Sequence, residues 1–272
     1  MQVSRSGYHA WKERSPSLRA QQNAHLVENI QAIHKKSDQT YGSPRVYHEL
    51  KAQGLSLSVN RVARLMRIHQ ISAQTKPRFV ITTQSDPDLP VAENLLAQRF
   101  GAEEPDTRWT ADFTYIWTGE GWLYLSVVLD LFSRRIVGWA MQPNMERSLV
   151  LSALQSALAA RRPSSGLLCH SDRGSQYASG DYQSLLCTAG IECSMSRKGN
   201  CYDNAPAESF FSSFKRELIH RYSYATREEA RTSIFRWIEV WYNRERRHSA
   251  LGYVSPEAFE RQHQQFQRQI AA

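Results

Sequence analysis

Leu167-Leu168-Cys169-His170-Ser171-Asp172-Arg173-Gly174-Ser175-Gln176-Tyr177 is the stretch from which the fold can be read. A short apolar run ends on an acid and Gly174-Ser175 breaks the element, the pattern of a buried strand whose last residue emerges at the carboxyl edge of a sheet. Open α/β sheets place their sites at that edge. Downstream, Ser194-Met195-Ser196-Arg197-Lys198-Gly199-Asn200 leads to a helix opened by Asp203-Asn204, with Pro206 near its start and Phe210, Phe211, Phe214 and Leu218 as its apolar stripe. At about 100° per residue, Glu208, Ser212 and Lys215 share a face roughly 110° round from the phenylalanines. The Glu208 carboxylate therefore stands beside the core without entering it.

Upstream, Arg108-Trp109-Thr110-Ala111-Asp112-Phe113-Thr114-Tyr115-Ile116-Trp117 alternates, with Trp109, Ala111, Phe113 and Tyr115 expected on one face and Thr110, Asp112 and Thr114 on the other. Asp112 interrupts a strand that otherwise favours β-branched and aromatic residues. The acids are separated by 59 residues from Asp112 to Asp172 and by 35 from Asp172 to Glu208. Carried on strand, strand and helix, this spacing resembles the DD(35)E catalytic domain of transposases and retroviral integrases. Further matches are His170 to Tyr177, Ser194 to Asn204, and Tyr242-Asn243 with His248-Ser249-Ala250-Leu251-Gly252-Tyr253-Val254-Ser255-Pro256. Together they resemble the second-frame product of bacterial insertion-sequence transposases, and the likeness covers nearly the whole chain.

The resemblance implies an α/β, ribonuclease-H-like mixed sheet flanked by helices. It implies a DNA transposase, a polynucleotidyl transferase that cleaves at insertion-sequence ends and transfers the freed 3′-hydroxyl to target DNA. Asp112, Asp172 and Glu208 would then be catalytic and hold two Mg²⁺ ions, with Mn²⁺ able to substitute, because magnesium takes carboxylate oxygens and leaves sites for substrate phosphate. Lys215, seven residues after Glu208, matches the basic residue that holds DNA in such enzymes. Arg173, Gln176 and Lys198 are candidate phosphate contacts, and His170 reads as a strand-end hydrogen-bonding residue. The implied partners are the element's terminal inverted repeats, target DNA, further copies of the chain on the DNA, and the upstream-frame product as fusion or partner.

Three other readings compete. Arg246, Arg247, His248 and Tyr253 could be imagined as a tyrosine recombinase, which would leave the acids idle. A nuclease of the same fold would cut without joining. A DNA-binding remnant would lack catalysis.

Composition sets the bounds. The 272 residues, 41% hydrophobic, suffice for one α/β domain and a smaller one. The formal charge of +8 points to a polyanionic partner. Residues 1–80 hold 13 Lys/Arg against 4 Asp/Glu, so the excess lies at the amino-terminal end. There, helices are expected over His25 to Lys36, over Pro44 to Gln53 after Ser43 as N-cap, and over Val59 to Ile68 capped by Ser58. Gly42 and Gly54 at the joints suggest a helix-turn-helix-like unit, and Arg61, Arg64 and Arg67 on the last helix are candidate DNA contacts opposite Val62, Leu65 and Met66.

The expected organisation is an arm over 1–23, a helix-turn-helix-like DNA-binding domain over 24–75, a proline-punctuated linker over 76–104, the integrase-type catalytic domain over 105–262 and a Gln-rich tail over 263–272. In the catalytic domain, strands over Trp109–Trp117, Trp122–Leu131 and Arg135–Met141 predict an antiparallel meander, followed by a helix capped at Asn144. A helix from Thr226 to Glu245 is expected to follow Glu208's helix. Cys169, Cys187, Cys193 and Cys201 form no C-x-x-C pair, which argues against zinc and disulfides. No apolar run approaches the roughly 18 residues of a membrane helix and the start is no signal peptide, so the expected location is cytoplasmic, on the nucleoid when DNA-bound.

Overall fold

The computed structural model describes residues 4–74, 92–197 and 201–271. They fall into two compact units, Met1–Thr75 and Lys76–Ala272.

In the first unit, α1 (Arg5–Lys12) is followed by α2 (Leu18–Lys36), α3 (Ser43–Ala52) and α4 (Val59–Ile68). The α2 helix starts seven residues before the expected His25, because the Ser17 hydroxyl accepts from the Ala20 N–H at 3.2 Å and supplies a cap beyond the Ser15-Pro16 break. Residues 18–23 are therefore helical and not an arm. Gly42, not Ser43, stands at the N-cap of α3, and Pro44 occupies its first turn, where the missing N–H costs nothing. Ser58 caps α4 through the Arg61 N–H, as expected. Ile30, Val46, Leu50, Val62 and Leu65 from α2, α3 and α4 form the core of the unit. Gly54 ends the turn after α3 at φ +85°, a conformation that favours glycine.

The second unit is built on a five-stranded sheet of order β3-β2-β1-β4-β5. The expected meander is β1 (Arg108–Thr118), β2 (Gly121–Asp130) and β3 (Ile136–Gln142), with Asp112 opposite Val127. Helix α5 (Arg147–Arg161) crosses to β4 (Leu168–Ser171), and α6 (Gly180–Thr188) crosses to β5 (Glu192–Met195); both strands run parallel to β1. The N-cap of α5 is Glu146, two residues past the expected Asn144, whose amide reaches the Glu146 carboxylate at 3.5 Å instead of capping. A Cβ on Gly138 of β3 would lie 2.5 Å from backbone atoms of Ala153 and Ala157, so glycine lets α5 seat directly on the sheet.

After a 3-10 turn over Cys201–Asn204 come α7 (Ala205–Glu217), α8 (Arg227–Arg236) and α9 (Pro256–Ile270). The expected Thr226–Glu245 helix is present, with Thr226 Oγ1 accepting from the Glu229 N–H at 3.2 Å, but its last nine residues, Trp237–Glu245, wind as a π-helix. The expected Gln-rich tail is helical to Ile270. Residues 92–98, expected in a linker, pack on the unit: Leu96 is buried, and the N–H groups of Leu95 and Leu96 donate to the Ser194 hydroxyl.

Alternation divides the sheet between two cores. Ile116, Leu123, Leu125 and Val127 face Phe210 and Phe214 of α7 and Ile234 of α8, whereas Trp109, Ala111 and Val128 face Val150 and Leu154 of α5 and Tyr182 of α6. Tyr115 lies on the expected face of β1 with Trp109 but is exposed, because β4 pairs with β1 only from Arg108 to Ala111 and the far half of β1 runs on past it.

Candidate active site

The last parallel pair between β1 and β4 is Ala111 with Ser171. The next residue on each chain is an acid, so Asp112 and Asp172 stand side by side where β4 leaves the sheet. Each is held by a local N–H: Phe113 donates to Asp112 Oδ1 at 2.8 Å, and Gly174 donates to Asp172 Oδ1 at 2.9 Å. Glu208 sits half-buried on the first turn of α7, the helix whose phenylalanines pack on the Asp112 face of β1.

The electrostatics register the convergence. Burial first and the charge of Asp172 second push the Asp112 carboxyl well above the ordinary carboxylate range, and Glu208 adds to this; the Phe113 N–H and Lys215 oppose it. Burial also raises Asp172, against the Gly174 N–H, and raises Glu208. Asp112 thus feels the charge of both other acids. Among the described residues no group of three or more His, Cys, Asp or Glu side chains lies ready as an ion's ligand set.

Lys215 Nζ stands 5.6 Å from the centre of the Tyr115 ring. Arg173 is half-buried, its Nε donating to the Ser196 carbonyl, and Gln176 lies beside Ser175. Lys198 lies outside the described residues. His170 is buried and hydrogen-bonded, as its strand-end position led us to expect. The Ser194 hydroxyl accepts the Leu95 and Leu96 N–H groups, which leaves its own hydrogen for His170 Nδ1 at 2.9 Å and assigns the ring proton to Nε2, 3.1 Å from Ser196 Oγ. Burial lowers the His170 pKa to about 4, so the ring is neutral at pH 7.

Several supports escaped the sequence reading. Asp203, read as a helix opener, is fully buried and accepts from Asn94 Nδ2 at 2.8 Å, Gln98 Nε2 at 3.0 Å and the Arg197 N–H at 2.9 Å. The Arg197 guanidinium holds its carboxyl below the usual range. Asn204 accepts a short hydrogen bond from the Thr110 hydroxyl and donates to the Ala111 carbonyl at 3.5 Å. It thereby ties the start of α7 to the strand residues just before Asp112.

Arg246 pins the other end of α7. It donates to both Glu217 oxygens, at 2.8 and 2.6 Å, and to the Ser213 hydroxyl at 3.1 Å. The buried Arg246 is a clamp on that helix, with His248 beside its guanidinium, and Arg247 donates to the Tyr253 carbonyl at 2.7 Å, so the residues of the imagined recombinase cluster are engaged in holding the fold. In the first unit Arg61 donates through Nε and Nη2 to Asn23 Oδ1 at 3.2 and 2.8 Å, whereas Arg64 and Arg67 are exposed.

Comparison with known proteins agrees with this fold. Models described as integrase core domain match residues 102–201 and 189–256, and one described as HTH-like domain matches residues 21–79. A chain of the simian T-cell lymphotropic virus intasome, in complex with PP2A regulatory subunit B56 gamma, superposes with a TM-score of 0.50 over 85% of this chain and 74% of that one at 14% identity, a likeness of fold. An uncharacterized 31 kDa protein of insertion element IS600 from Shigella sonnei is 44% identical over 97% of both chains. The transposase InsF for insertion sequence IS3A of Escherichia coli K12 is 45% identical over 96% of this chain and 91% of its own length. With that identity along nearly its whole length, a helix-turn-helix-like unit and an integrase core, the chain belongs to the IS3-family insertion-sequence transposases.

Proposed function

We propose that Asp112, Asp172 and Glu208 form the site at which this transposase performs both of its reactions: hydrolysis that frees a 3′-hydroxyl at the element end, and transfer of that end to target DNA. The observation that carries the reading is the register of the central strands, which ends the pairing of β1 and β4 at Ala111 and Ser171 and sets Asp112 and Asp172 side by side at the sheet's carboxyl edge. Carboxylate oxygens suit hard cations that also take phosphate oxygens. Two magnesium ions bound there, or manganese in their place, would neutralise the phosphate in flight and ready the attacking oxygen.

The chain's own groups do the rest. Lys215, beside Asp112 on the α7 face, holds a DNA phosphate next to the acids. Arg173 and Gln176, and Lys198 on the following segment, provide further phosphate contacts. The Phe113 and Gly174 N–H groups fix one oxygen of each aspartate. In the first reaction water attacks phosphorus and the 3′-oxygen leaves as a hydroxyl; in the second that hydroxyl attacks a target phosphodiester, whose own 3′-oxygen departs. Neither reaction links the protein covalently to DNA.

In the amino-terminal unit, Arg64 and Arg67 would contact the duplex, with Arg61 braced by Asn23. The basic charge of residues 1–80 supports that assignment. Among the described residues no helix is long and apolar enough to cross a membrane. The working state is a cytoplasmic oligomer on the element's inverted repeats, joined by the upstream-frame product.

Incubating the protein with donor ends, target DNA and magnesium tests the reading. Joined product should form with the wild type and fall below detection in Asp112→Asn, Asp172→Asn and Glu208→Gln, which remove ligands but little volume. Cleavage without joining would make the chain a nuclease, and activity surviving any one substitution would remove that acid from the site.

A further inference from the structure

On the far half of β1, three large rings lie in the open. Tyr115, Trp117 and Trp122 are 38%, 61% and 42% exposed. Trp117 pairs directly with Trp122 across β1 and β2, and Tyr115 precedes Trp117 by two residues, so all three project from one face. They interlock edge to face, with centroids 5.0 Å apart for Tyr115 and Trp122 and 4.8 Å for Trp117 and Trp122. The helices on that face, α5 and α6, cover Trp109, Ala111 and Val128 and leave these rings uncovered. We infer that this cluster is a stacking platform for unpaired bases of the DNA end that is brought to Asp112, an inference that rests on the catalytic site proposed above.

Two observations select that occupant. The first is continuity with the acids. Tyr115 lies three residues, roughly 10 Å, beyond Asp112 on the same strand and on its opposite face, along the stretch of β1 that β4 no longer flanks. Lys215 joins the two places: its Nζ stands 5.6 Å from the Tyr115 ring centre, and its charge acts on Asp112. The second is charge. Arg227 lies against the other end of the cluster, its Nε donating to the Trp122 carbonyl at 3.0 Å and its backbone N–H donating to Glu120. Cations at both ends of an aromatic face suit a chain that alternates phosphates with flat bases. A paired duplex presents base edges in its grooves and hides the faces, so rings of this kind take bases that have left the stack. Placing one strand's terminal phosphodiester at a half-buried acid requires the two strands to part there, which supplies such bases.

The test measures binding of the full-length chain in the absence of divalent metal, to one duplex prepared either blunt or with a few bases of one strand unpaired. The wild type should prefer the frayed duplex. The Trp117→Ala/Trp122→Ala variant should lose about tenfold on the frayed duplex and nothing on the blunt one, and Trp117→Phe/Trp122→Tyr, which keeps the rings, should retain most of the preference. Equal weakening on both duplexes, or no weakening, would overturn the inference. So would normal DNA binding combined with a smaller assembly by light scattering, since the rings would then be a contact between protein chains. Because no metal is present, an error in the catalytic assignment would leave these affinities untouched and show only as absent cleavage.

Discussion

Asn204 joins the helix that carries Glu208 to the strand that carries Asp112, and its side chain is spent on that tie and not on capping α7. Replacing it by alanine strands the buried Thr110 hydroxyl, at a cost of about 1–3 kcal/mol. We expect Asn204→Ala to lower urea stability by that amount and to slow joining further still, because Glu208 loses its registry with Asp112; full joining activity in a folded variant would remove Asn204 from the positioning machinery. The three proposed ligands stand out in the sequence because the chemistry proposed for them demands carboxylates and their supporting elements come at fixed spacing. Asn204, Asp203 and Arg246 do not. Each acts through partners distant along the chain, as far as the 109 residues between Asn94 and Asp203, and a polar residue ahead of a proline reads equally well as a plain helix start.

At the scale of elements, the meander, the two crossovers and the helix of Glu208 follow from periodicity and breakers, whereas ends and exposures depend on what lies alongside. Tyr115 alternates correctly yet is exposed, because β4 stops pairing at Ala111. The tail reads as polar low-complexity chain but continues α9, whose first half one acid docks: Glu260 accepts from Ser133 at 2.8 Å, Arg135 at 2.9 Å and Arg161 at 2.9 and 3.0 Å, with Arg161 also bridging to Asp106. Burial would raise the Glu260 carboxyl, but Arg161, Ser133 and Arg135 hold it below its ordinary value. Its folded pKa being depressed, its contribution is present above the unfolded value of about 4.3 and is lost as pH falls through the folded one. Glu260→Gln should cost about 2–3 kcal/mol near pH 7, since it leaves two guanidinium groups without their carboxylate, and the gap from wild type should narrow in melts below about pH 4. A gap that does not change with pH would mean that the carboxylate's charge contributes nothing to docking α9.

Across the whole molecule, the charge is segregated: 13 Lys/Arg against 4 Asp/Glu in residues 1–80, and near balance beyond. Phosphate contacts made by the amino-terminal unit should therefore dominate the salt dependence of binding. Each lost contact removes about 0.9 from the log–log slope on duplex DNA. Arg64→Ala with Arg67→Ala should flatten the slope by nearly twice that, and an unchanged slope would mark the α4 stripe as a solvated face. The central claim concerns the second unit, and six of the seven tryptophans report on it, since only Trp11 lies elsewhere. A ligand that binds only the folded state stabilises it by RT ln(1 + [L]/Kd), roughly 1.4 kcal/mol at ten times Kd. The most direct measurement is the tryptophan-fluorescence melt of wild type and Asp112→Asn with increasing magnesium or manganese. The Tm of the wild type should rise with either ion, more steeply with manganese, while that of Asp112→Asn stays nearly flat; equal shifts in the two proteins would put the metal elsewhere and contradict a site shared by Asp112, Asp172 and Glu208.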